Sequence, residues 1–148
     1  TPMSPLTELM LFNASRCQLV EDVISSALKE GKIVVCDRFT DSTVAYQSFG
    51  RGLDLNTVND INLIASRGLK PDLTILLDVP PKIGLSRKRA NDSDRFEQET
   101  LAVHQRVREG FLTLACQEPW RWAIIDSTLS RNRVGDRIWE KVVCFLEK

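Results

Sequence analysis

The chain has 148 residues, enough for one domain with a sizeable core and too few for two. Hydrophobic residues make up 43% of it and charged residues 27%, as in ordinary globular proteins. Twenty basic residues balance twenty acidic ones, so neither a general nucleic-acid binder nor a membrane-surface binder is expected. No segment approaches the roughly 20 apolar residues of a membrane span, and no secretory signal begins the chain, so we expect a cytoplasmic protein.

The first predicted helix covers residues 4–31. Ser4 suits the N-cap, Pro5 the first helical position and Gly31 the C-terminal stop. A spacing of about 100° per residue places its apolar side chains on one stripe. These side chains are Leu9, Phe12, Leu19, Val20, Val23 and Ala27.

A charged residue, Arg16, falls near the middle of that apolar stripe, with Asn13 beside it. Burying a charge without a partner is costly, so Arg16 needs a reason to be there. It pairs either with a buried carboxylate or with a polar ligand docked against this face of the helix.

Residues 32–37 (KIVVCD) are almost continuously apolar and predict a buried strand. Asp37 and Arg38 follow it directly, which points this charged pair towards a crevice at the end of the strand. A helix is predicted to begin at Asp41 and to run through Gln47, with a turn over residues 49–52. Another helix is predicted over residues 56–67, with Gly68 as its stop.

Two further strands are predicted over residues 72–79 and 122–126, and helices over residues 81–89, 97–117 and 130–148 lie around them. This alternation favours an α/β fold in which helices flank a parallel sheet. Ligands of such folds bind beyond the carboxyl ends of the strands, where Asp78 and Asp126 lie. Each aspartate is equally compatible with capping the helix that follows it.

A polar stretch at residues 90–94 is bracketed by basic side chains: Arg87, Lys88, Arg89 and Arg95. Such a cluster is either a solvated basic turn or a mobile lid whose arginines fold over a phosphate. Together with Arg16 and Arg38, it forms an anion-binding set within a neutral chain. This asymmetry favours a phosphorylated small molecule as the ligand.

The four cysteines (Cys17, Cys36, Cys116 and Cys144) are scattered and form no CxxC pair. We expect reduced thiols on buried faces, and neither a zinc site nor a disulfide framework.

The segments LMLFNASRCQLVEDVI, ALKEGKIVVCDRFTDSTVAYQ, GRGLD, GLKPDLTILLDVPP, GLSRKR and DRFEQE occur in this order. Together they resemble the thymidylate kinases of the bacterial type, over residues 4–126. The resemblance implies a P-loop-kinase-like α/β fold and transfer of the γ-phosphoryl group of ATP to dTMP. It also implies Mg²⁺ as cofactor and a cytoplasmic homodimer as the working form.

The resemblance assigns most of the dTMP site. Phe12 matches the residue that stacks on thymine, and Arg16 the arginine that hydrogen-bonds the edge of the base. Arg38 matches the residue that grips the monophosphate, with Asp37 organising the phosphate and Mg²⁺ region, in contact with the metal at most through water. The remaining matches are Ser42, Thr43, Tyr46 (against the deoxyribose) and Gln47.

The resemblance also assigns the ATP side. Arg87, Arg89 and Arg95 match arginines of a catalytic lid over residues 87–96, which act with Arg38 on the transferring phosphoryl group. Ser127, Thr128 and Leu129 match the loop beside the adenine.

One motif of the family has no counterpart in this sequence. No GxxxxGK[ST] phosphate-binding loop occurs, and the family's first, central strand and second strand are unmatched. We therefore expect residues 1–148 to be the C-terminal portion of a thymidylate kinase and to be inactive alone. The alternatives are a non-catalytic nucleotide-binding protein on the same scaffold and another nucleoside monophosphate kinase.

Overall fold

The computed structural model describes residues 3–87 and 100–147. The chain forms two compact units, Thr1–Lys70 and Pro71–Lys148, and each is considered by itself. The single domain expected over residues 1–148 stays a prediction.

Unit 1 begins with one long helix, as predicted. It consists of α1 (Pro5–Leu19), a π-helical stretch (Val20–Ile24) and α2 (Ser25–Lys29). The Ser4 hydroxyl accepts a hydrogen bond from the Thr7 amide at 3.2 Å, which confirms the predicted N-cap. Gly31 adopts a φ of +73°, a conformation that glycine reaches without steric cost, and the helix stops before it.

The buried face of this helix differs from the predicted stripe. Leu9 and Val20 are buried, as expected, but Phe12, Leu19 and Val23 are exposed. Between Leu9 and Val20 the buried positions are polar, Asn13 and Arg16, because both side chains find hydrogen-bond partners there. Arg16 therefore lies on the core face, as the sequence predicted.

The strand predicted over residues 32–37 is wrong. This segment is extended but joins no strand ladder among the described residues, and Ile33 and Val35 are 71% and 94% exposed. A strand is stabilised by hydrogen bonds to a neighbour, and no described segment of unit 1 supplies one. High β-propensity alone leaves the backbone extended and unpaired.

The rest of unit 1 is helical. A short helix α3 (Thr40–Thr43) continues into a π-helical stretch (Val44–Gly50), so the predicted turn begins at Arg51 instead of residue 49. Helix α4 (Leu55–Ser66) begins at Asp54, whose carboxylate accepts a hydrogen bond from the Thr57 amide at 2.8 Å. It ends where Arg67 and Gly68 take positive φ values, which confirms the predicted glycine stop.

Unit 2 contains two parallel strands, β1 (Thr74–Asp78) and β2 (Trp122–Asp126). They are paired in register from Thr74 opposite Trp122 to Asp78 opposite Asp126, so both aspartates end at the same edge. Helices α5 (Pro81–Ser86), α6 (Leu101–Gln117) and α7 (Arg131–Leu146) complete the unit. The predicted α/β alternation and parallel pairing are confirmed here.

The cysteines are not on buried faces. All four are free thiols; Cys17 is partly buried, and Cys36, Cys116 and Cys144 are exposed. The buried positions of their helices are taken by other side chains, such as Ala115 beside Cys116. Within the described ranges, no helix is both long and apolar enough to cross a membrane.

Candidate active site

The centre of the candidate site in unit 1 is the Arg16 guanidinium, which is buried between α1 and two other helices. Its Nη1 donates to the amide oxygens of Asn13 at 2.8 Å and Asn62 at 3.0 Å. Its Nη2 donates to the Thr43 hydroxyl at 2.6 Å and to the Phe39 carbonyl at 3.2 Å. All four of these acceptors are neutral oxygens, so within the described ranges Arg16 does not pair with a buried carboxylate, the first of the two interpretations from the sequence.

Burial lowers the pKa of Arg16, an effect that the nearby Cys36 thiol partly opposes. The guanidinium still keeps its proton, because an arginine pKa lies far above neutrality. The Cys36 thiol has a raised pKa, caused first by desolvation, and is therefore a poor counter-ion. The site thus holds a positive charge with neutral ligands, which suits an electron-rich partner.

Asn62 holds this arrangement together from α4. Its amide oxygen accepts from Arg16, and its amide nitrogen donates to the Thr40 carbonyl at 3.2 Å. One side chain thereby joins the arginine of α1 to the first residue of α3. The sequence analysis did not single out Asn62, although a polar residue one turn from buried Val58 could have signalled it.

Phe12 and Gln47 lie around this centre. Phe12, one helical turn before Arg16, is 42% exposed at the surface of the unit. Gln47 is buried one turn after Thr43 and donates its amide nitrogen to the carboxylate of Glu8 at 2.8 Å. The sequence analysis also missed Glu8, which is buried one turn before Phe12.

Arg38 has an unusual backbone. Its φ is +60°, which is costly for a residue with a Cβ and is found mainly where function or packing requires it. Its guanidinium lies 4.9 Å from the centre of the Tyr46 ring, a cation–π contact. The side chain makes no hydrogen bond or ion pair with the described residues, so its five N–H groups can serve an anion.

Two further predicted residues, Asp37 and Ser42, lie next to Arg38 and Thr43 along the chain. Asp37 is exposed beside Arg38, and Ser42 is partly buried next to Thr43. Among the described residues, no group of three or more histidine, cysteine, aspartate or glutamate side chains could hold a metal.

In unit 2, the predicted nucleotide loop is anchored by an arginine. Arg87 donates to the carbonyl oxygens of Ser127 at 2.6 Å and Thr128 at 3.1 Å. The Thr128 amide donates to Asp126 at 2.8 Å, and hydrogen bonds from Thr128 lower the pKa of that carboxyl. Leu129 follows, partly buried.

Asp78 does not cap a helix. It forms a two-pronged ion pair with Arg108 of α6, with Nε and Nη2 at 2.7 and 2.8 Å from its two oxygens. This hydrogen bonding raises the pKa of Arg108. Arg89 and Arg95, two of the three predicted lid arginines, lie outside the described residues.

The structure therefore brings together the predicted residues of unit 1 in two sets. Arg16 and Thr43 are directly bonded, with Phe12 and Gln47 one turn away on either helix. Arg38 and Tyr46 are in contact, with Asp37 adjacent. The predicted loop of residues 127–129 and Arg87 belong to unit 2, where they contact one another.

Comparison with known proteins decides the family. A family model described as thymidylate kinase matches residues 1–138. The chain belongs to the thymidylate kinase family. The family fold is the P-loop kinase α/β fold, with which the parallel β1–β2 pair and its helices agree.

Relatives support the same assignment. A thymidylate kinase from Dehalococcoides mccartyi (strain CBDB1) is 53% identical over 144 residues, which cover 97% of this chain and 69% of the relative. One from Trichlorobacter lovleyi is 49% identical, with 97% of this chain and 71% of the relative covered. One from Synechococcus sp. (strain JA-2-3B'a(2-13)) is 50% identical, with 95% and 68% covered.

Replacing Asn62 with alanine should destabilise unit 1. The change removes one acceptor of Arg16 and the donor to the Thr40 carbonyl, and unpaired buried polar groups cost about 1–3 kcal/mol. Urea unfolding of the purified chain measures the loss. Asn59→Ala, an exposed change on the same helix, is the control and should stay within about 0.5 kcal/mol of the wild type. Equal effects of the two changes would show that Asn62 does not hold the cluster.

Proposed function

We propose that this chain serves dTMP phosphorylation, in which the γ-phosphoryl group of ATP passes to dTMP to give dTDP and ADP. The observation that carries the proposal is the buried Arg16 with neutral partners, one helical turn from the half-exposed Phe12. A flat base can stack on the ring while its carbonyl edge accepts from Arg16 Nε–H, which the four hydrogen bonds of Nη1 and Nη2 to described residues leave unused. Similarity to thymidylate kinases supports thymine as that base.

The acceptor nucleotide is proposed to bind through unit 1. Phe12, Arg16, Thr43 and Gln47 would surround the base, with Ser42 beside them. Tyr46 would contact the deoxyribose. Arg38 supports this arrangement, because its guanidinium makes no hydrogen bond with the described residues and can grip the monophosphate next to the Tyr46 ring.

The donor side is proposed to lie in unit 2. Ser127, Thr128 and Leu129 would contact the adenine of ATP, and Arg87 holds this loop through two carbonyl oxygens. Arg87, Arg89 and Arg95 are proposed as the lid arginines that act with Arg38 on the transferring phosphoryl group. Phosphoryl transfer depends mainly on positioning and on neutralising charge, which arginines supply.

Mg²⁺ is the proposed cofactor and would enter with the phosphates of ATP. Bound there, it would neutralise phosphate charge. Asp37 would hold it through water, since its exposed carboxylate makes no hydrogen bond or ion pair with the described residues. We further propose a homodimer in the cytoplasm as the working form.

The family's P-loop and its first two strands have no match in this sequence. The exposed, unpaired residues 32–36 support the proposal that the functional sheet needs further strands. No observation favours a non-catalytic nucleotide-binding protein. A substrate panel of nucleoside monophosphates would separate thymidylate kinase activity from that of another nucleoside monophosphate kinase.

The chain of 148 residues by itself should show negligible dTMP kinase activity. Its sequence has no P-loop, whose backbone amides and lysine hold the β- and γ-phosphates. A coupled assay at saturating ATP and dTMP measures turnover. The control is the same chain fused behind the P-loop segment of the Dehalococcoides relative, which should be active. Comparable turnover by both proteins would contradict the prediction.

In that fusion, Arg16→Ala should weaken dTMP binding more than ATP binding. A hydrogen bond to a charged group contributes about 1.5–3 kcal/mol, which corresponds to a loss of at least about tenfold in dTMP affinity. Calorimetry with each nucleotide measures the split, and Arg137→Ala, an exposed change on α7, is the control. Unchanged dTMP affinity would make Arg16 a purely structural residue.

Alanine at Arg89 or Arg95 should lower kcat more than it raises the KM for dTMP. Lid arginines meet their phosphate partners in the closed complex, so removing one affects the transition state more than dTMP binding. Steady-state kinetics of the fusion measures both constants, with Arg87→Ala in the series and Arg131→Ala as an exposed control. A wild-type kcat in all three lid variants would make the cluster a solvated basic turn.

A further inference from the structure

Asp78, the last residue of β1, connects three parts of unit 2. Its main-chain carbonyl accepts a hydrogen bond at 2.8 Å from the amide of Ser127, which directly follows β2. Its two carboxylate oxygens accept from Nε and Nη2 of Arg108 on α6, at 2.7 and 2.8 Å. One residue thereby joins the end of β1 to the loop of residues 127–129 and to α6.

The ion pair between Asp78 and Arg108 holds this edge of the strands in place. Its side chains are 20% and 31% exposed, so solvent screens their charges only in part. Two parallel N–H···O bonds also fix the plane of the guanidinium relative to the carboxylate, which a single contact would not do. Because Arg108 engages both carboxylate oxygens, the pair supports the edge of the sheet and does not present Asp78 to a ligand.

The chain that follows Asp78 returns to the same loop. It enters α5, where a Cβ added at Gly84 would lie 3.3 Å from Val79 Cγ1, so this helix packs closely on the residue after Asp78. Arg87 follows α5 and donates to two carbonyl oxygens of the 127–129 loop, at 2.6 and 3.1 Å. The position of Asp78 therefore acts on this loop twice, through its own carbonyl and through Arg87.

A second ion pair of unit 2 lies at the opposite edge of the same two strands. Arg121 Nε donates to Glu118 Oε2 at 2.7 Å, and its Nη1 donates to the hydroxyl of Thr74 at 2.9 Å. This pair joins the first residue of β1 to the segment before β2. None of the residues proposed above to bind a nucleotide belongs to this edge. The pair therefore provides a comparison that separates the general effect of losing an ion pair from an effect on the nucleotide.

We propose that Asp78 and Arg108 are positioning residues for the donor nucleotide. By fixing the end of β1, the pair holds the Ser127 main chain and Arg87 in the arrangement in which the 127–129 loop contacts the adenine of ATP. The inference rests on the proposed function, since that function assigns the loop to ATP. Both residues act through the loop, so their loss weakens ATP binding and leaves dTMP binding unchanged.

The test titrates ATP and dTMP separately into the purified chain, with backbone amide shifts in NMR spectra giving Kd values up to the millimolar range. In the wild type, ATP should shift the Ser127 and Thr128 amides. Asp78→Asn leaves one acceptor oxygen and turns an NH₂ group towards the guanidinium. The affinity for ATP should therefore fall about tenfold, the scale of one hydrogen bond to a charged group. The Kd of dTMP should stay within about twofold of the wild-type value.

Two further variants sharpen the comparison. Glu118→Gln, the matched control, breaks the ion pair at the other edge and should keep the wild-type Kd for ATP. Hydrogen exchange of the Ser127 amide should accelerate in Asp78→Asn and not in this control. Arg108→Gln combined with Asp78→Asn should weaken ATP binding no more than either change alone, because both remove the same pair. Additive losses would contradict a shared role.

The outcomes separate the inference from the proposed function. Wild-type chain that does not bind ATP, or binds it without shifts in the 127–129 loop, would refute the proposed donor site and the positioning role with it. A wild-type Kd for ATP in Asp78→Asn, or equal losses in Asp78→Asn and Glu118→Gln, would overturn the positioning role alone. If Asp78→Asn does not fold, Arg108→Lys decides, since lysine keeps the charge but cannot form both bonds. Weaker ATP binding with unchanged dTMP binding supports the role, and unchanged ATP binding overturns it.

Discussion

A buried cation, Arg16, whose hydrogen-bond acceptors among the described residues are all neutral oxygens, is the constraint on which unit 1 depends. Arg16 reaches four neutral oxygens on α1, on α4 and around the start of α3, and these bonds join the three helices at one point. Burial lowers the pKa of the guanidinium. The group still keeps its proton, because an arginine pKa lies far above neutrality. The fold therefore keeps a buried positive charge on α1, one helical turn after the exposed Phe12.

Glu8 and Gln47 form a second connection between α1 and the helical residues 40–50, in addition to that of Arg16 and Thr43. The two connections differ in the hydrogen-bonding group that each contains. Arg16 is a cationic donor, whereas Gln47 has a side-chain oxygen with no hydrogen-bond partner among the described residues. Arg38, with its positive φ and its cation–π contact with Tyr46, is a second cation, and its side chain makes no hydrogen bond or ion pair with the described residues.

Unit 2 uses its arginines differently. Arg108 is committed to Asp78 through two hydrogen bonds, and Arg87 is committed to the carbonyl oxygens of the loop that follows β2. These contacts fix the elements around the carboxyl edge of the parallel pair, where nucleotides bind in folds of this class. The basic character of this part of the chain is therefore partly structural, which the count of charges could not reveal.

The sequence by itself determined the long first helix, the glycine stops, the parallel strands β1 and β2 and the family, because these depend on local periodicity, capping and ordered motifs. It also placed Arg16 on a core face. Only the tertiary structure decided which groups satisfy Arg16, since Asn62 and Thr43 lie 46 and 27 residues away along the chain. Two further features likewise depend on neighbours in space. Among the described residues, residues 32–36 pair with no strand and the side-chain oxygen of Gln47 has no hydrogen-bond partner. A strand needs a neighbouring strand, and a buried polar atom needs a hydrogen-bond partner. Residues adjacent in the sequence do not reveal whether the fold supplies either one.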